Sequence, residues 1–328
     1  MKNPIVVLLF ALLLVDCSLA RAQQTKRVHR IGLLSSFSAA VAAPWHEAFR
    51  QGLRDLGWVE EKNISIESRY AEGRSDRLPE LAADLVRLKV DIVVAAVTED
   101  VRVAQSATEA IPIVMATPAD PVAAGLVDSL ARPGGNTTGL SQMAPEMAGK
   151  RLELLKEVVA NLARVAVLWN PQSPASGSPL GWKEIQLPAR ELGVQLHSLE
   201  VRSPADFDKA FEDAIKARAG ALAIMPDPLF AGNLKRIAEL AAKSRLPSIF
   251  HLSEFAGSGG LMTYGPDRSD MYRRVAAYVD KILKGTKPAD LPVEQPKKFE
   301  FVINLKAAKQ IGVTIPPNVL ARADRVIR

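Results

Sequence analysis

Along most of the chain, short apolar runs alternate with longer stretches whose apolar residues recur every three or four positions. Short unbroken or alternating runs predict strands, and the longer period predicts helices. "RIGLL" (Arg30 to Leu34) reads as a strand. "WHEAFRQGLRDLGW" reads as a helix, with Phe49, Leu53 and Leu56 on one face. "NISIESRY" is a strand, "RLPELAADLVRLKV" a helix with Leu81, Leu85 and Leu88 in line, and "DIVVAAV" a buried strand. "EDVRVAQSATEA" (helix) and "IPIVMA" (strand) complete the first series.

After a linking "NTTGLS" the alternation restarts. "EMAGKRLELLKEVV", "WKEIQLPARELG", "SPADFDKAFEDAIKA" and "NLKRIAELAAKS" read as helices; "RVAVLW", "VQLHSLEV", "ALAIM", "PSIF" and "GGLMTY" read as strands. Pro188 is expected to kink or shorten its helix. Ser203, followed by Pro204 and Asp206, carries a helix-start signature. "SDMYRRVAAYVDKILKG" is a long helix that Gly285 should end in a left-handed cap, and "KFEFVIN" is a late strand.

Strand–helix alternation of this kind builds parallel sheets covered on both faces. Two such series predict an α/β fold of two Rossmann-like lobes. Candidate crossings between lobes are Gly139–Ser141, Tyr264–Pro266 and Leu291–Pro296, which gives a first lobe of 28–140 plus 266–291 and a second of 142–264 plus 297–328.

Composition adjusts this picture at one end. Of 328 residues, 48% are hydrophobic and 24% charged, enough for a sizeable core. "IVVLLFALLLV" near the N-terminus is too short to span a bilayer. With Lys2 before it and Ala20-Arg21-Ala22 after it, it predicts a cleaved signal peptide over 1–22. Cleavage would remove Cys17, the single cysteine, so no disulfide is expected although an exported protein's compartment would permit one. The net charge of +6 is spread along the chain, without a basic stripe interleaved with aromatics, so no nucleic-acid partner is expected.

In facing parallel sheets a ligand sits beyond the carboxyl ends of the strands. The candidates there are Ser35, Ser36, Thr98, Thr117, Asp120, Asp227 and Tyr264. Hydroxyls, carboxylates and an aromatic suit a small polar or zwitterionic molecule. For Asp120 a helix-capping role competes with ligand contact, because "VAAGLVDSL" after it reads as a short helix. Ser35 and Ser36 could likewise cap a helix near Ala42. Glu99 and Asp100 open a helix, where its dipole favours acids. Loss of Asp120 or Asp227 is expected to weaken binding.

"IPIVMATPADPVAAGLVDSLARPGGNTTGLS", "RVAVLWNP", "GGLMTYGP" and "YVDKILKGTKPADLPVEQPKKFEFVINLKAAKQIGVTIPP" resemble the ABC transporter substrate-binding protein family over nearly the whole mature chain. The resemblance implies a periplasmic binding protein type I fold, hinged, with three crossing segments. It implies capture of an amino acid or related solute and delivery to an ABC permease in the inner membrane, by a monomer with no cofactor, metal or enzymatic activity. Glu99 departs from the family pattern and would repel a ligand carboxylate held on that helix N-terminus.

No G-x-S-x-G or H-E-x-x-H supports a hydrolase, and no G-x-G-x-x-G follows the first strand. A sensor that presents its ligand to a membrane receptor would need the same two-lobed architecture and is the alternative.

Overall fold

The computed structural model describes residues 28–142, 144–172 and 179–328, so the stretch 1–22, read from the sequence as a signal peptide, lies outside the described residues. Two sheets organise the chain. The first has five parallel strands in the order β2-β1-β3-β4-β5: β1 His29–Ser35, β2 Ile64–Tyr70, β3 Ile92–Ala95, β4 Ile113–Met115 and β5 Thr137–Gly139. β5 lies in the stretch read as a linker. Thr137 and Thr138 are β-branched and fully buried there, so a three-residue strand forms where the apolar pattern is silent.

The second sheet has the order β12-β11-β10-β9-β8-β6-β7. Its strands are β6 Arg164–Trp169, β7 Gln195–Glu200, β8 Ala221–Ile224, β9 Ser248–Phe250, β10 Met262–Pro266, β11 Phe299–Asn304 and β12 Arg325–Ile327. All neighbours are parallel except β10 and β11, where Tyr264 faces Phe301 across an antiparallel pair.

Helices cover both faces of each sheet. In the first lobe, α1 (Ala39–Asp55) lies against one face, and α2 (Leu78–Arg87) and α3 (Thr98–Ala107) cover the other. Alternation along β1 makes this division: Ile31 and Leu33 point to α1, Leu34 to α2. In the second lobe, α4 (Ala144–Val158) and α5 (Pro179–Glu191) share a face, with α6 (Phe207–Lys216) and α8 (Leu234–Lys243) on the opposite one. The four-residue α7 (Pro228–Ala231) and α9 (Glu254–Gly257) follow β8 and β9.

The chain changes lobe three times. It leaves β5 for α4. It leaves β10 for α10 (Arg268–Leu283), which packs along α1 in the first lobe, and then returns to β11. The crossings are tight. A Cβ on Gly139, whose φ is +134°, would stand 2.3 Å from the Met115 carbonyl oxygen, and one on Gly265 would stand 2.3 Å from that of His251. Only glycine allows these approaches.

Three local readings are corrected. α1 starts at Ala39 rather than near Trp45, runs through Pro44, and is capped by Ser38, whose Oγ accepts from the Val41 N–H at 3.3 Å; Ser35 and Ser36 do not cap it. α5 continues through Pro188, so the proline does not shorten it. "VAAGLVDSL" makes successive turns rather than a helix. Gly285 does adopt a left-handed conformation, φ +102°, just beyond α10.

Candidate functional site

A narrow cavity of about 30 Å³ lies where the strand ends of the two sheets face each other. Phe37 after β1, Val97 and Thr98 at the start of α3, Thr117 and Ala119 after β4, and Gln142 at the first crossing form one wall. Pro226, Asp227 and Pro228 after β8 and His251 after β9 form the opposite wall, and Arg268 enters from the start of α10. A wider groove of about 320 Å³ lies beside it, with Arg74, Ser75, Asp76 and Glu99 facing Asn170, Gln172 and Arg202. Asp227 and Pro228 border both spaces.

Three of the seven candidates, Thr98, Thr117 and Asp227, line the cavity. The Thr98 hydroxyl accepts from the Ala119 N–H at 3.2 Å, and the Thr117 hydroxyl donates to the Ala96 carbonyl at 2.9 Å, so the loops after β3 and β4 are laced together. Asp227 caps α7 by accepting from the Leu229 N–H at 2.8 Å.

The other four lie elsewhere. Ser35 is buried and accepts from the Phe37 N–H at 3.2 Å. Ser36 donates its hydroxyl to Asp100, which also accepts the Ser36 N–H at 3.2 Å and the Val97 N–H at 3.1 Å. Asp120 accepts from the Val122 and Ala123 N–H groups at 3.0 and 2.9 Å, which is a cap on the turns that follow. Tyr264 turns toward Phe299 and Phe301, each with ring centroids 6.2 Å away. Strand alternation sends it to that side, away from the cavity. Glu99 faces the outer groove and accepts from the Ser75 hydroxyl at 2.7 Å. It does not border the inner cavity.

Three buried groups in or next to the cavity wall were not among the seven candidates. Asp100 is fully buried, and burial pushes its carboxyl up to about 7, against the pull of the hydrogen bonds from Ser36 and Val97. Arg268 is 7% exposed. Its guanidinium carbon lies 4.5 Å from the Trp45 ring centre and 5.3 Å from that of Phe37, and Nη2 is 3.2 Å from His251 Nε2. His251 is buried, and burial followed by the Arg268 and Arg151 charges lowers its pKa well below the usual imidazole value. One signal for Arg268 was in the sequence: a cation at the first position of a long helix, where the dipole disfavours it.

Two α/β lobes that enclose a cavity between their strand ends define a two-lobed solute receptor. Residues 40–327 match the family model described as ABC transporter substrate binding protein, and the chain belongs to that family. Its activity is solute binding rather than catalysis. The chain is 25% identical over 267 residues to a tyrosine-binding protein of Clostridioides difficile, a match that covers 81% of this chain and 76% of that one. It is also similar to two solved structures, each at 27% identity, covering 92% of this chain and all of the other. One is a conserved domain protein from Vibrio cholerae (TM-score 0.85); the other is a Streptococcus pneumonia ABC domain in complex with L-Trp (TM-score 0.84).

Proposed function

We propose that this protein is exported to the periplasm, captures an amino acid or related organic solute in the cavity between its lobes, and delivers it as a monomer to an ABC permease in the inner membrane. The observation that carries the reading is a cavity at the strand ends whose walls come from both lobes, with a few polar groups set among apolar ones. The tyrosine- and tryptophan-binding relatives favour an aromatic amino acid within that class. Thr98, Thr117 and Asp227 contribute polar contacts, while Phe37, Pro226 and Pro228 offer apolar surface.

A thermal-shift screen of protein stripped of bound solute tests this. The panel holds amino acids, aromatic acids, amines and sugars. A ligand present at a hundred times its dissociation constant should stabilise the fold by about 2.7 kcal/mol. If no member of the panel shifts the melt, the receptor assignment fails.

A further inference from the structure

Arg268 is buried, and among the described residues no carboxylate stands within ion-pair distance of it; the acid whose charge reaches it, Glu254, is bonded to Trp45 instead. Its guanidinium is held instead by the Trp45 and Phe37 rings and by His251. Trp45 is itself fixed, stacked on Tyr272 with centroids 6.2 Å apart and donating Nε1–H to Glu254 at 3.0 Å. Rings orient a guanidinium without neutralising it, so its charge stays available to a ligand.

Nη1 of Arg268 is buried with no hydrogen-bond partner. His251 repeats the pattern. A guanidinium can only donate, so His251 Nε2 accepts from Nη2 and the ring proton sits on Nδ1. That Nδ1–H is also buried and unpaired. Both residues line the one cavity, and each has a buried donor without an acceptor. Buried charged donors in native proteins are as a rule satisfied, and unpaired donors on residues that line a cavity point to an anionic acceptor from outside the chain.

We infer that Arg268, seconded by His251, anchors a carboxylate, so that the solute is a small organic acid or amino acid whose apolar body lies against Phe37, Pro226 and Pro228. This rests on the receptor reading above. Thr98 and the start of α3 are then not required to hold the anion, and Glu99, in the outer groove, does not oppose it.

The test is calorimetric titration with matched compounds of one apolar body: L-tryptophan and indole-3-propionate carry the carboxylate, while tryptophan amide and tryptamine lack it. Phenyl and branched aliphatic analogues, and the sugars of the thermal panel, extend the set. The carboxylates should bind at least a hundredfold more tightly than the amide or amine. Arg268→Gln should erase that preference, while the ligand-free melting temperature holds or rises because a buried unpaired charge is gone. Equal binding of acid and amide, or a uniform loss for every compound in Arg268→Gln, would make Arg268 a structural prop and overturn the inference. Binding by sugars or other neutral solutes alone would also overturn it while leaving the receptor reading intact. Failure of every compound, sugars included, would sink the receptor reading itself. Should Arg268→Gln not fold, the acid-to-amide ratio in the unaltered protein decides.

Discussion

Asp100 and His46 are both buried ionisable groups whose native forms prefer to be uncharged, and they respond to pH in opposite senses. Burial raises the Asp100 carboxyl to about 7, so between its unfolded value near 3.8 and about 7 the native state holds a proton that the unfolded state has lost. Stability from this group therefore falls as pH rises through that window. Burial, helped by Arg50, lowers His46 to about 4, so between about 4 and 6.5 the unfolded state holds the extra proton and stability rises with pH. The two slopes oppose each other in the unaltered protein. Asp100→Asn should therefore give a fold whose stability climbs more steeply from pH 4 to 6.5, measured by denaturant melts across that range; an unchanged slope would contradict the buried, protonated Asp100. Asp227 and Asp120, alike in sequence as acids beside prolines, separate in the structure. Asp227→Ala should weaken ligand binding at least tenfold, about 1.4 kcal/mol. Asp120→Ala should leave affinity intact and cost only turn stability, because its carboxylate holds the Val122 and Ala123 N–H groups rather than the cavity. Titrations of both variants check this, and equal losses would erase the distinction. These contacts were illegible in the sequence because they join residues far apart along it: Ser36 meets Asp100 and His251 meets Arg268 only after the lobes are assembled.

At the scale of elements, periodicity recovered most strands and helices because each carries its own apolar stripe. It missed β5, whose three residues carry two threonines, and it began α1 late, at Trp45 just beyond Pro44 rather than at Ala39. A proline within a helix removes one hydrogen bond, but α1 buries Trp45, Phe49 and Leu53 immediately beyond it, and packing outweighs propensity there. The true cap, Ser38, was one of several nearby serines, and spacing alone did not single it out. Ser38→Ala should cost about 1 kcal/mol. The crossings are stricter. At Gly139 a methyl group would meet the Met115 carbonyl, so Gly139→Ala should destabilise by roughly 1–3 kcal/mol. A chemical-denaturation midpoint that did not move would contradict the close β4–β5 approach.

The whole molecule places its chemistry where two sheets of parallel strand ends meet. That architecture was readable from the order of elements, since strand–helix alternation leaves few ways to cover a parallel sheet. The position of Tyr264 was not, because it depends on the antiparallel β10–β11 pairing that only the assembled second sheet reveals. The lobes are linked by three crossings and touch across the cavity through contacts such as Trp45 Nε1–H to Glu254 at 3.0 Å. A ligand bridging both walls should favour this closed arrangement over an open one. The most direct test is small-angle X-ray scattering on solute-stripped protein, before and after saturation with the tightest-binding compound of the thermal screen. The account predicts a smaller radius of gyration on saturation, as the lobes close around the cavity. A compound that binds by calorimetry yet leaves the scattering curve unchanged would place the ligand outside the interlobe cavity and contradict the account.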